Sequence, residues 1–201
     1  MDLFTTYIQR NDNKALSDSI LEPCRKILSE VPDDNRYKYG KTSFFEKDIW
    51  EKHKDNFTEL YDFIFKNAFA YCEKMQILDI DKIAIENIWV SEMYKYGQHK
   101  LHGHAGYCDL SGIFYVHVEP NSADIVFYRY EFITDLMQNF KFQNYNNYNA
   151  TEWKFPAEKG NIIIFKSDVP HSVDLNMSDS RIAISFNLKI LTNDGNNNAV
   201  S

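Results

Sequence analysis

Three histidines, His99, His102 and His104, lie close together in the segment His99-Lys-Leu-His102-Gly-His104. Residues two apart in an extended strand point to the same side, so His102 and His104 can present their imidazoles to one metal ion. An HxH pair alone does not separate a metal site from a surface cluster of histidines. A metal site therefore needs a further ligand elsewhere in the chain.

A second group of chemically informative residues lies downstream. An isoleucine-rich stretch ends in Pro170-His171, and Arg181 stands ten residues after that histidine. The strand predicted from Arg181 onward alternates small or polar residues with apolar ones, so Arg181 lies on its more polar face. A guanidinium there can bind a carboxylate through two parallel hydrogen bonds, although a solvated surface arginine is the alternative.

Three stretches of the chain together resemble the 2-oxoglutarate/Fe(II)-dependent oxygenase family of marine bacteria and phages, within the prolyl 4-hydroxylase-like superfamily. They are KLHGHAGYCDLSGIFYV (100–116), GNIIIFKSDVPHSV (160–173) and RIAISFN (181–187). The resemblance implies a double-stranded β-helix, or jelly roll, with Fe(II) as cofactor and 2-oxoglutarate (2OG) as co-substrate. The implied reaction consumes O₂, hydroxylates an unidentified substrate and decarboxylates 2OG to succinate.

By the same resemblance, the metal ligands are His102, His104 and His171. Most of the superfamily has Asp or Glu at the position of His104. Three neutral imidazoles leave the metal its full charge, so both Fe(II) and Zn(II) stay open as the native metal. Asp109 is the alternative carboxylate ligand.

The resemblance also implies residues that bind 2OG. Arg181 is expected to pair with the distal carboxylate, and Tyr115 to add a hydroxyl donor. A core tyrosine with a satisfied hydroxyl is the alternative for Tyr115. His99 stands three positions before His102, where prolyl hydroxylases carry a tyrosine that helps to hold 2OG, and is a further co-substrate-binding residue by this reasoning.

Two other function classes stay open. A Zn(II) protein with three histidines and a bound water would be a hydrolase or lyase. A non-catalytic jelly-roll binding module would carry its histidines incidentally. The order of HxH, Pro-His and Arg181 argues against the binding module, and no residue pattern indicates the substrate.

The remaining sequence predicts how these residues are positioned. Its 201 residues, 44% hydrophobic and 25% charged, suit one domain with a full core. Apolar residues recur at helical spacing from Leu16 to Leu28 and from Leu60 to Met75, and strand-like segments follow. We predict an α+β jelly roll with helices on one face: residues 1–78 are helical support, 79–191 the catalytic core and 192–201 a flexible tail. The expected strands are 83–96, 110–118, 123–130, 161–166, 171–175 and 181–191.

Charge and cysteine content limit location and partners. The net charge of −7 argues against a surface for bulk nucleic acid or an anionic membrane. No segment is long and apolar enough to span a membrane, and the three widely spaced cysteines suit a reducing compartment. We therefore expect a cytoplasmic protein, with a homodimer left open. His53 has no partner pattern and is expected at the surface.

Overall fold

In the computed structural model of the protein, the described residues are 6–33, 37–129, 141–146 and 148–193. Within them the chain forms two antiparallel sheets with helices on one side, as the α+β prediction requires. The predicted flexible tail, 192–201, lies outside the described residues except for Thr192 and Asn193.

Ten strands are present in the described parts of the chain. They are β1 (Ile8–Asp12), β2 (Gly40–Thr42), β3 (Ile80–Met93), β4 (His99–His102), β5 (Leu110–Val118), β6 (Ile125–Tyr128), β7 (Glu152–Phe155), β8 (Asn161–Lys166), β9 (His171–Val173) and β10 (Arg181–Thr192). The larger sheet has the order β1-β8-β5-β10-β3-β2, and the smaller β4-β9-β6-β7. Apolar side chains from both sheets, among them Tyr115 and Phe127, form one core, so the sheets pack face to face.

Four helices cover the outer face of the larger sheet in the described segments: α1 (Lys14–Ser19), α2 (Leu21–Glu30), α3 (Lys47–His53) and α4 (Thr58–Lys74). The single helix predicted near the N-terminus is broken at Ile20, and the side chain of Asn13 caps α1 by accepting from the Leu16 N–H at 3.0 Å. Helices long and apolar enough to cross a membrane do not occur within the described residues.

The N-terminal region is less purely helical than its sequence predicts. β1 lies at one edge of the larger sheet, with Ile8 opposite Phe165, and β2 lies at the other edge against the end of β3. The sequence of β1, IQRND, lacks the alternation of a half-buried strand, and β2 has only three residues. Both strands therefore escape recognition by pattern.

A β-bulge in β5 changes which side chains share a face. Tyr115 lies opposite Ala183 of β10, whereas His117 lies opposite Ile182, so Val116 is the extra residue. Opposite residues of an antiparallel pair share a face. Simple alternation would place His117 on the same face as Tyr115. Because of the bulge, the two side chains lie on opposite faces.

All three cysteines are unpaired thiols inside the fold. Cys24 lies on α2, Cys72 on α4 and Cys108 just before β5, and each is buried. Burial raises the pKa of both Cys24 and Cys72 above the ordinary value.

Candidate metal centre

The three histidines predicted as ligands meet at one end of the smaller sheet. His102 ends β4, His171 begins β9, and the two lie opposite each other in the antiparallel pair. His104 follows in the loop after β4, where its backbone N–H donates to the Ser167 carbonyl at 2.8 Å. One ligand atom from each of the three side chains lies within 4.8 Å of the other two. This arrangement can hold a metal ion.

Backbone carbonyls set the tautomers of two of these rings. His102 Nδ1 is 2.7 Å from the Lys100 carbonyl oxygen, and His171 Nδ1 is 2.9 Å from that of Val169. Because a carbonyl oxygen only accepts, each Nδ1 must carry the proton and donate. Each Nε2 therefore keeps its lone pair for a metal, as is usual when the other ring nitrogen of a histidine ligand donates to a carbonyl.

The site favours the neutral form of two of its histidines, His171 and His104. His171 is buried, with its ring centroid 4.8 Å from that of Phe165, and burial followed by the nearby His102 lowers its pKa to about 3. Burial, and then His102, also lower the pKa of His104. Neutral imidazole is the form that binds metal, so little proton competition is expected at these two rings.

Among the described residues, no carboxylate joins the cluster. Asp109 Oδ2 accepts from the Ile190 N–H at 2.7 Å, and Oδ1 lies 3.6 Å from Lys189 Nζ. Across the described residues, the three histidines are the one set of three or more His, Cys, Asp or Glu with ligand atoms close enough for a metal. The alternative ligand Asp109 is thus engaged at the end of β10 instead.

Arg181 and Tyr115 form a buried polar pair between the sheets. The Arg181 guanidinium carbon lies 4.8 Å from the centroid of the Tyr115 ring, and both side chains are buried. Arg181 Nε and Nη2 and the Tyr115 hydroxyl are buried without a hydrogen-bond partner in the described structure. Leaving such donors unpaired costs about 1–3 kcal/mol for each group. The pair thus fits a carboxylate, whose two oxygens accept from a guanidinium and a hydroxyl.

His99 is held by a residue that the sequence analysis missed. The Tyr37 hydroxyl lies 3.1 Å from His99 Nε2. Burial raises the pKa of Tyr37 to about 12, and burial followed by Arg181 and His102 lowers that of His99 to about 4. A neutral phenol and a neutral imidazole therefore share this hydrogen bond, and the histidine tautomer sets which of them donates. Tyr37 is 62 positions from His99 and belongs to no motif, so no sequence signal links them.

Comparison with known proteins decides the family. A family model described as "Putative 2OG-Fe(II) oxygenase" matches residues 87–187, half of the chain, and spans all three histidines and Arg181. The chain belongs to this family. As a 2OG-Fe(II) oxygenase, the protein is an enzyme that uses Fe(II), 2OG and O₂, which confirms the function class and cofactors predicted from the sequence.

Solved structures agree on the fold of this 2OG-Fe(II) oxygenase. A prolyl-4-hydroxylase from Pseudomonas putida is 13% identical, with coverage of 94% of this chain and 95% of that one and a TM-score of 0.55. A prolyl hydroxylase from Trichoplax adhaerens, in complex with a hypoxia inducible factor peptide fragment, is 13% identical, with coverage of 96% and 87% and a TM-score of 0.61. A viral collagen prolyl hydroxylase from Paramecium Bursaria Chlorella virus-1, in a 2OG complex, is 12% identical, with coverage of 90% and 95% and a TM-score of 0.53. These likenesses confirm the predicted jelly roll. No curated protein sequence matches the chain.

Proposed function

We propose that His102, His104 and His171 hold the Fe(II) of this oxygenase and that Arg181 binds the distal carboxylate of 2OG. One observation carries the proposal: three histidine ligand atoms converge within 4.8 Å, and a buried arginine with unpaired donors lies on the adjoining sheet. When bound, Fe(II) supplies the redox chemistry that couples O₂ and 2OG to hydroxylation of a C–H bond.

The residues of the chain prepare both binding events. The carbonyls of Lys100 and Val169 orient two imidazoles before the metal arrives, so little rearrangement is needed. Arg181 would orient 2OG by a two-point contact with its carboxylate, and Tyr115 would donate its otherwise unpaired hydroxyl hydrogen to the same group. Tyr37 would hold His99 in place beside 2OG through the hydrogen bond between its hydroxyl and the His99 ring.

The uncharged ligand set has an electrostatic consequence. Three imidazoles leave the metal at a charge of +2, whereas a carboxylate ligand would neutralise one unit. Arg181 adds a further positive charge between the sheets, next to Tyr115. A dianionic co-substrate therefore gains more attraction here than at a site that contains a carboxylate.

Anaerobic titration with Fe(II) and 2OG tests the proposal. Wild-type protein should give the weak visible charge-transfer band of an Fe(II)–2OG complex, and calorimetry should show 2OG binding that depends on metal. His171→Ala should lose metal and band together. A wild-type protein that binds Fe(II) but takes up no 2OG at millimolar concentration would contradict the assignment of Arg181.

Organisation and location complete the proposal. We propose that the chain acts as one domain, since β1 and β2 from its N-terminal part lie in the same sheet as Arg181. A cytoplasmic location is supported by three unpaired cysteines, because reducing compartments keep thiols in that state.

A further inference from the structure

A cavity of about 430 Å³ opens beside His102, one of the three proposed metal ligands. His99 and His102 line one side, the turn 37–39 lines another, and the loop between β3 and β4 closes it. Arg181 and Tyr115 do not line this cavity, whereas Tyr37 and His99 do, so the cavity adjoins the site to which we assign 2OG without including the buried pair. Its volume is in the range of sites for small molecules.

The charge of this cavity is opposite to that of the whole protein. Two lysines, Lys38 and Lys100, are among the lining residues, and none of the lining residues is acidic. Both lysines are exposed, and neither forms an ion pair with any residue that the structure describes. In a chain of net charge −7, this local positive potential favours an anionic ligand.

Two described acidic residues near the cavity, Asp33 and Glu92, are already engaged. Asp33 lies 3.5 Å from Lys41, and Glu92 accepts a hydrogen bond from the Ser180 hydroxyl at 2.6 Å. These contacts direct both carboxylates to groups outside the lining. Lys38 and Lys100 are thus available to an incoming anion.

Aromatic side chains give the cavity a second recognition feature. Tyr39 and Tyr96 are 44% and 52% exposed, although both line the cavity. Exposed tyrosine rings offer a flat apolar surface with a polar tip. One face of each ring already carries an ammonium, with Lys38 Nζ 5.2 Å from the Tyr39 centroid and Lys95 Nζ 5.6 Å from the Tyr96 centroid. A ligand with a ring or another flat apolar part would cover the opposite faces while its charged group contacts the lysines.

The wall that carries Tyr96 is fixed before any ligand binds. Tyr96 has a φ of 72°, its N–H donates to the Asn176 carbonyl at 2.7 Å, and the Asn176 N–H donates to the Gly97 carbonyl at 2.8 Å. Asn176 is fully buried, and its side chain also donates to the Met93 carbonyl. A preformed wall lowers the conformational entropy that binding must remove.

We propose that the substrate of this oxygenase is a small organic anion with a flat ring, whose carboxylate or phosphate contacts Lys38 and Lys100. Its ring lies against Tyr39 and Tyr96, which places the carbon to be hydroxylated beside His102. The hydroxylation rests on the proposed function of the three histidines, whereas the binding of the anion does not require the metal.

Methionine methyl NMR on the full-length, metal-free protein tests this proposal with three defined probes. Benzoate and phenyl phosphate carry the two anionic groups, and benzamide is the uncharged counterpart. Met93 lines the cavity and Met75 lies at the end of α4, so their methyl signals report local and remote effects respectively. Both anions should shift Met93 and leave Met75 unchanged, and benzamide should bind about tenfold more weakly, the factor that roughly 1.4 kcal/mol of charge contact gives.

Paired lysine variants complete the experiment. Lys38→Ala combined with Lys100→Ala should weaken both anions about tenfold or more, because the charge-assisted contacts are removed. Lys26→Ala combined with Lys74→Ala changes the net charge equally on exposed helix positions and should leave the affinities unchanged. Equal affinity for benzamide, no binding of the anions at millimolar concentration, or equal effects of the two double variants would overturn the proposal.

Titration of the loaded protein separates this inference from the proposed function. If the double variant of Lys38 and Lys100 loses Fe(II)-dependent 2OG binding as strongly as it loses benzoate binding, the cavity belongs to 2OG. The proposed substrate site is then wrong, whereas the proposed oxygenase function stands. If wild-type protein binds no Fe(II) or 2OG yet keeps lysine-dependent anion binding, the proposed function fails and the anion site stands.

Discussion

His102 and His171 lie directly opposite each other on β4 and β9, with their ring centroids 4.2 Å apart. Two proposed metal ligands about 70 positions apart in sequence are therefore brought together by one antiparallel strand pair. Each has its Nδ1 bound to a carbonyl two residues earlier. The third histidine, His104, comes from the loop that follows β4, and its backbone N–H donates to the carbonyl of Ser167, directly after β8. Backbone pairing alone thus sets most of the metal centre.

Substitution of His104 tests the third ligand. His104→Ala should lower the affinity for Fe(II), whereas His104→Asp should retain more iron than the alanine variant, because Asp is a good hard ligand and restores a two-histidine, one-carboxylate set. The comparison is made by equilibrium dialysis with iron analysis and by 2OG decarboxylation. Asp109→Ala is the control and should keep its iron, since the Asp109 carboxylate bonds to the end of β10. Equal iron loss in both His104 variants, with loss in Asp109→Ala, would contradict the site.

Arg181→Lys should weaken 2OG without changing the metal content. A lysine keeps the charge but not the fork of donors, and losing a buried bidentate pair costs on the order of 2–4 kcal/mol. Calorimetry with 2OG on metal-loaded protein measures the change. Unaltered 2OG affinity would show that the guanidinium does not contact the co-substrate.

Replacement by alanine should have different effects on stability at two glycines, Gly112 and Gly103. At Gly112 on β5, an added Cβ would lie 2.3 Å from Phe186 Cζ and 2.9 Å from the Ile163 carbonyl oxygen, so Gly112→Ala should lower the free energy of unfolding. Overpacking of this kind costs about 1–3 kcal/mol. At Gly103, between His102 and His104, the nearest atom would be 3.4 Å away, so Gly103→Ala should keep both stability and iron. Urea unfolding and iron analysis of the two variants check the pair, and equal loss of stability would count against the packing described here.

Glu30 should contribute stability that depends on pH. Hydrogen bonds from Lys52, and then from His53, lower the pKa of this carboxyl below its ordinary 4.5. A lowered folded pKa means that the contribution is complete above the unfolded pKa and is lost as pH falls through the folded value. Glu30→Gln should therefore destabilise the protein at neutral pH, and the difference from wild type should shrink below pH 4.5.

The effect of Glu30→Gln is measured from the urea midpoints of wild type and variant at neutral pH and below pH 4.5. Glu22→Gln is the matched control on the same helix, because the Glu22 pair with Arg25 is exposed and should contribute little at either pH. A difference between wild type and Glu30→Gln that does not change with pH would show that the charge of Glu30 plays no part.

The sequence predicts the long, apolar elements well and the short or polar ones poorly. β5 and β8 have the expected bounds because their runs of apolar residues begin and end at clear turn residues. β7 was missed, since its four residues Glu152–Phe155 are exposed or half-exposed and carry little hydrophobic pattern. Such edge strands depend on pairing with a neighbour, which residue type alone does not encode.

The metal cluster was predictable because its residue types are rare and their order is informative. The supporting contacts were not. Tyr37 bonds to His99 across 62 positions, and His53, expected at the surface, is buried with its Nε2 2.9 Å from Glu30 Oε1. Both contacts arise from packing between segments that are distant in sequence. The residues next to a histidine in the chain do not indicate whether it is buried or which side chain it contacts.

The burial of Cys24, Cys72 and Cys108 has a consequence for the durability of an enzyme that handles iron and oxygen. Reduced iron with O₂ readily yields peroxide, and thiolates are the side chains that peroxide attacks first. Burial raises the pKa of Cys24 and Cys72, so these two thiols offer almost no thiolate to such an oxidant, and Cys108 is kept from it by burial. The catalyst thus carries its most oxidisable groups where by-products of its own chemistry do not reach them.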